Sequence, residues 1–215
     1  MQGKLLIFDL DGTLVDSGST VLSILNEMRL DRSMPPMTIE ALVPTLSLGG
    51  IEMVRATLNI SEHDDADHVL NDFRARYRNL PTPADSVYPG VREVLNRLRS
   101  DGYNLCICTN KPRDLAYKVL KETELASSFE FVISGGDLPS RKPDPAFIDT
   151  CLKHFEIPPD QTLLIGDSLV DQQLSANAHI QFIFYAGGYN DGVDESALAG
   201  KFYNYQHLPP VICSL

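Results

Sequence analysis

The sequence predicts an α/β protein, a parallel sheet with helices on both faces, carrying a helical segment inserted after the first strand. Three observations predict it. Five short apolar runs alternate with helical segments, acidic or polar clusters follow four of those runs directly, and the alternation stops between residues 16 and 86.

The first run, Leu5-Leu6-Ile7-Phe8, is continuously apolar, as expected of a strand buried on both faces of a parallel sheet. Four similar runs follow at Tyr103 to Cys108, Phe129 to Ile133, Thr162 to Ile165 and Ile180 to Tyr185. Helical spacing separates them, as at Val91, Val94, Leu95 and Leu98. In such a sheet, ligands gather outside the carboxyl ends of the strands. Within the interruption, Thr20 to Leu30, Thr38 to Leu46, Ile51 to Leu58 and Ala66 to Tyr77 have helix-like spacing. Pro35-Pro36, Gly49-Gly50 and Pro81-Thr82-Pro83 break them apart. The expected division is therefore residues 1–15 and 87–215 as the α/β core and 16–86 as a helical domain. Its two connections, near Asp16 to Ser19 and Pro81 to Val87, would let it open and close beside the first acidic cluster. The tail from Lys201 gives no clear element.

Of 215 residues, 18 are Lys or Arg and 29 are Asp or Glu, for a formal net charge of −11. That balance opposes binding to nucleic acid or anionic lipid and favours small-molecule partners. No apolar run approaches the roughly 20 residues of a membrane span, and the opening strand is too short for a signal peptide, so a cytoplasmic location is expected. Cys106 and Cys108 should share one strand face; with Cys151 and Cys213 they lack metal-ligand spacing and read as buried thiols. Glu62 to His68 reads as solvated surface ahead of a helix, and Arg74, Arg76 and Arg78 as partners of nearby acids.

Chemistry concentrates behind the strands. Asp9 and Asp11 stand two apart where the first strand runs out, and Gly12 breaks it. Carboxylates so close repel unless a cation neutralises them or one takes a proton. After the second strand, Thr109 and Asn110 can donate hydrogen bonds to an oxyanion, although Thr109 would equally serve as a helix cap. After the third, Lys142 precedes Pro143 and could act as a fixed point charge on a phosphate. After the fourth, Gly166 permits close backbone approach and Asp167 joins Asp9 and Asp11; hard oxygen donors without histidine favour Mg²⁺. Asp171, four residues on, also suits a helix N-terminus.

In this order the motifs resemble those of the haloacid dehalogenase superfamily of phosphotransferases, over nearly the whole chain. The resemblance implies a Rossmann-like core with a helical cap like that of phosphatases and mutases acting on small phosphates. It implies Asp9 as nucleophile, Asp11 as general acid and base, and Thr109 and Lys142 as further catalytic residues. Mg²⁺ would be held by Asp9, Asp11, Asp167 and Asp171. Candidate substrate contacts are Thr109, Asn110, Lys142 and, in the cap, Gly49 and Gly50, with Ser47 and Arg55 as polar candidates nearby. The implied activity is Mg²⁺-dependent hydrolysis of a small phosphate monoester, phosphoglycolate or a related sugar or organic phosphate, by a monomer or dimer. A phosphomutase of the β-phosphoglucomutase type would use the same residues. Thr13, the Gly166-Asp167 pair and the Gly135-Gly136-Asp137 run look more like the phosphatases. Leu46 to Gly50 and Ala178-His179 depart from that pattern. A dehalogenase would have no need of Asp11 or Thr13, and a noncatalytic module would be expected to have lost one of the charged positions.

Overall fold

The computed structural model describes residues 4–46 and 48–215. Among them a six-stranded sheet has the order β3-β2-β1-β4-β5-β6, with every pairing parallel. The strands are β1 (Leu5–Phe8), β2 (Asn104–Pro112), β3 (Phe131–Gly135), β4 (Thr162–Gly166), β5 (Gln181–Tyr185) and β6 (Gly200–Phe202). This is the doubly wound, Rossmann-like order, and it reverses at β1, between β2 and β4. The carboxyl end of β1 is therefore the switch point where a ligand crevice is expected.

Alternation within each strand covers both faces of the sheet. Leu5 and Ile7 of β1 join Cys106, Cys108, Ile133, Leu164, Phe182 and Phe184 in a buried cluster with Phe147, Ile148 and Cys151. These last three come from α7 (Ala146–Phe155). On the opposite face Phe8 meets Phe129 edge-on, with ring centroids 6.1 Å apart. The spacing Val91, Val94, Leu95, Leu98 is buried in α5 (Val91–Ser100), as its periodicity predicts. The other core helices are α6 (Arg113–Glu122), α8 (Leu169–Asn177) and α9 (Leu208–Cys213). Cys213 corrects the sequence reading: on the last turn of the short α9, it is exposed.

The chain divides into two compact units. One runs through Asp16 and resumes with Pro83–Leu215; the other is Ser17–Thr82. The second unit consists of α1 (Gly18–Leu30), α2 (Ile39–Leu46), α3 (Gly50–Leu58) and α4 (Asp67–Asn79). Pro44 lacks the N–H an interior helical residue donates, and α2 is only eight residues long. Asn59 takes a left-handed conformation to end α3. Arg76 of α4 binds Asp72 and crosses to Asp31, just beyond α1. In the first unit the chain leaves and returns along one path: Asp16 N donates to Ser86 O and Tyr88 N to Leu14 O.

The sequence reading missed β6, and it ended β2 at Cys108 although the strand runs on to Pro112. Pairing with β3 shifts register between Cys108 and Pro112, so Thr109, Asn110 and Lys111 sit in an irregularity of the kind that re-aims side chains at a site.

Candidate active site

Side chains that follow β1, β4 and β3, with others from the end of β2, converge at the switch point. Asp9 continues the sheet, its N–H donating to Ile165 O at 2.9 Å. The chain then turns sharply: Leu14 N donates to Leu10 O and Gly12 N to Val15 O. Gly12 has φ of 83°, and a Cβ there would stand 2.3 Å from Asp167 Oδ2. Any side chain at this position would strike the carboxylate that the loop approaches.

Lys142 reaches the centre of the site. Its Nζ donates to Asp9 Oδ1 and to Asp171 Oδ1, both at 2.7 Å. Asp9, Asp167, Asp171 and Lys142 are 7 %, 1 %, 0 % and 5 % exposed. Asp171 closes a capping box at the start of α8, accepting from Ser168 Oγ at 2.6 Å. It is thus both a helix-terminal acid and part of the cluster. Gly166 permits this approach: a Cβ there would lie 2.5 Å from Asp171 Cγ. Asp167 is held on both sides, Oδ1 by Thr13 Oγ1 and Oδ2 by Tyr189 N, each at 2.8 Å.

The electrostatics follow from burial. Desolvation lifts the Asp9 carboxyl to about 7, against the opposing pull of Lys142. Asp167 is raised well above the usual range, again by burial first, with Asp171 and Asp9 adding to it. For Lys142, burial pushes downward, but Asp171 and Asp9 outweigh it and hold the ammonium above its ordinary value. Asp9, Asp167 and Asp171 each offer a carboxylate oxygen, all within 4.8 Å of one another. Three clustered carboxylates, with one ammonium bonded to Asp9 and Asp171 alone, leave an excess of negative charge in a dry, all-oxygen donor set, which fits a hard divalent cation.

Asp11 is not brought into that cluster. Its carboxylate accepts from Lys111 Nζ at 2.9 and 3.1 Å, a pair 100 residues apart in sequence that reasoning from the motifs missed. The signal was present: Lys111 stands inside the Thr109-Asn110-Lys111 run at the end of β2.

Asn110 has a partner other than the expected substrate. Its Oδ1 accepts from Lys142 N at 2.8 Å and its Nδ2 donates to Lys142 O at 3.2 Å, so the amide grips the backbone of the site lysine. Thr109 is buried within β2, and its hydroxyl accepts from Lys111 N at 3.2 Å. It is not a helix cap, since Pro112 precedes α6.

The helical-unit candidates have local explanations. Gly49 has φ of 100° at the start of α3, and a Cβ on Gly50 would stand 2.9 Å from Leu70 Cδ1. Arg55 donates to the carbonyls of Ser61 and Asp64, which ties down the loop after α3. Ser47 lies outside the described residues.

Known proteins resemble this chain over most of its length. Residues 6–185 match the haloacid dehalogenase-like hydrolase family. The chain is 32 % identical to phosphoglycolate phosphatase of Rhodobacter capsulatus over 212 residues, covering 96 % of this chain and 95 % of that protein. It is 34 % identical to phosphoglycolate phosphatase of Nitrosococcus oceani, covering 90 % and 88 %. The crystal structure of a predicted phosphoglycolate phosphatase from Haemophilus somnus superposes with a TM-score of 0.88 at 26 % identity, over 99 % of both chains. The fold, the aspartates at its switch point and these likenesses together place the chain in the haloacid dehalogenase-like hydrolase family.

Proposed function

We propose that the protein is a Mg²⁺-dependent phosphatase that hydrolyses a small phosphate monoester, phosphoglycolate or a close analogue, through an aspartyl-phosphate on Asp9. The observation that carries this reading is the buried convergence of Asp9, Asp167 and Asp171, two of which, Asp9 and Asp171, bind the ammonium of Lys142. The names of the relatives support the choice of substrate, and their likeness runs the length of the chain.

In the first half-reaction an Asp9 carboxylate oxygen attacks phosphorus; the Asp9 O–P bond forms and the ester P–O bond breaks. The leaving oxygen takes a proton from Asp11. In the second half a water oxygen attacks the same phosphorus, giving its proton to Asp11, and the Asp9 O–P bond breaks to release phosphate. Asp11 is suited to this exchange by standing outside the metal-type cluster, 28 % exposed at its side chain.

Lys142 keeps a positive charge against Asp9 and so opposes the rise that burial imposes on that carboxyl. The same charge would stabilise negative charge on the phosphoryl oxygens. Lys111 brings a second ammonium to this edge, beside Asp11. Asp9, Asp167 and Asp171 would hold Mg²⁺, which would supply the charge that lets an anionic nucleophile meet an anionic phosphate. The helical unit Ser17–Thr82 would serve as the cap that selects substrate and excludes water.

The test is phosphate release from 2-phosphoglycolate, hexose phosphates, nucleotides and pyrophosphate, each with Mg²⁺ or with EDTA, using Asp9→Asn as control. Release is expected from the small monoester and to require both Mg²⁺ and Asp9. Release that persists with EDTA or in Asp9→Asn would overturn the proposal.

A further inference from the structure

The loop after β5 is absent from the chemistry above, yet it binds the site at several points. Tyr189 N donates to Asp167 Oδ2 at 2.8 Å, and Tyr189 Oη donates to Asp16 Oδ1 at 2.9 Å. The Tyr189 ring packs so closely over the nucleophile loop that a Cβ on Gly12 would come within 2.6 Å of its Cδ2. A Cβ on Gly188 would stand 2.3 Å from Gly12 O and 2.4 Å from Asp167 Cβ. Farther along, Asp191 Oδ1 accepts from Leu169 N at 2.6 Å. Gln172 and Asp194 then exchange two hydrogen bonds, at 2.7 and 2.8 Å. The segment from Gly187 to Asp194 is thus fastened to the start of α8 at one end and to Asp16 and Asp167 at the other.

We infer that Tyr189 is a positioning residue for Asp167: its phenol, anchored on Asp16, fixes the loop whose backbone N–H occupies one side of the carboxylate and thereby sets the affinity of the site for a divalent cation. This rests on the reading of Asp167 as a metal ligand given above. Thr13 takes Oδ1 and Tyr189 takes Oδ2, so the orientation of the carboxylate plane is determined from two directions. A ligand carboxylate held in this way has its remaining lone pairs aimed in advance, and partners behind the ligands contribute substantially to metal affinity. Thr13 belongs to the nucleophile loop, whereas Tyr189 comes from another strand end 22 residues beyond Asp167. The two contacts are therefore separable by mutation. Gly187 and Gly188 follow from the same geometry, because side chains there would meet Tyr185 or Asp167.

The experiment measures Mg²⁺ binding to the full-length protein by calorimetry, and Mn²⁺ binding by electron paramagnetic resonance, for the parent, Tyr189→Phe and Gly188→Ala. Tyr189→Phe removes the hydroxyl and with it the bond to Asp16, while keeping the ring and the backbone N–H, and Gly188→Ala leaves the phenol in place but pushes on Gly12 and Asp167. Each variant is expected to weaken Mg²⁺ binding about tenfold, with turnover of Tyr189→Phe recovering at saturating Mg²⁺. A merely structural role would lower the melting temperature of the metal-free protein and leave the Mg²⁺ dissociation constant unchanged. That result in Tyr189→Phe overturns the inference while the parent still binds Mg²⁺. A parent protein that binds neither cation would instead remove the functional reading, and this inference with it.

Discussion

Replacing Asn110 with alanine separates two roles for a residue at the end of β2. The sequence pattern offers the amide to substrate; the structure closes it on the backbone of Lys142, through an accepted bond of 2.8 Å and a donated bond of 3.2 Å. Each is a neutral hydrogen bond, contributing about 0.5–1.5 kcal/mol net, so Asn110→Ala should cost about 1–3 kcal/mol of stability. The catalytic effect follows from Lys142, whose Nζ lies 2.7 Å from both Asp9 and Asp171. Freeing its backbone lets the ammonium drift, and a misplacement of about 1 Å can cost roughly 100-fold in rate. Steady-state kinetics with 2-phosphoglycolate, beside urea denaturation, should therefore show kcat lowered about 10- to 100-fold with KM little changed. Asn110→Asp, which keeps the acceptor for Lys142 N and loses the donor to Lys142 O, should fall between. A raised KM with unchanged kcat would refute the reasoning, because it would mean that the amide binds substrate in ground and transition states alike.

Further outcomes follow from the same geometry. Asp11→Asn should bind Mg²⁺ better than Asp9→Asn, because Asp11 stands outside the cluster, yet should lose turnover; turnover equal to the parent would remove Asp11 from acid and base chemistry. Gly166→Ala should destabilise by about 1–3 kcal/mol and weaken Mg²⁺ binding, since the added methyl meets Asp171; a variant melting and binding like the parent would contradict this. The pH dependence has a definite sign. The folded Asp9 carboxyl sits at about 7, above its unfolded value, so the native state holds the extra proton between the two. Metal-free protein should lose stability as pH rises from about 4 to about 7, and Asp167, also raised, acts in the same direction. Mg²⁺ should then raise the melting temperature more at the upper end of that window than at the lower, and an increment independent of pH would count against the charge excess.

How much could be read in advance depends on range in sequence. β1, β4 and β5 are continuous apolar runs bounded by glycine or charge, and the helices of Ser17–Thr82 repeat apolar residues at helical spacing, so local pattern exposes them. The order of motifs behind successive strands then led to Asp9, Asp167, Asp171 and Lys142 at one edge. β6 escaped because three residues, Gly200–Phe202, are too few to display alternation, and its pairing with β5 creates it. The tail that follows β6 likewise carried no signal, although Tyr205 Oη donates to Thr13 O at 2.6 Å and braces the nucleophile loop from 192 residues away. Lys111 with Asp11 and Asn110 with Lys142 were hidden for the same reason. Each residue type suited several partners, and only the register shift at the end of β2 selects among them.

Whether Asp9 carries the phosphoryl group is decided by acid quench of the Mg²⁺-loaded protein during turnover of radiolabelled 2-phosphoglycolate, with the label mapped to a peptide. A transient acyl-phosphate is expected on the peptide containing Asp9, absent from Asp9→Asn and accumulating in Asp11→Asn if release is slowed more than attack. Phosphate release at the parent rate with no label on that peptide at any time point would contradict it.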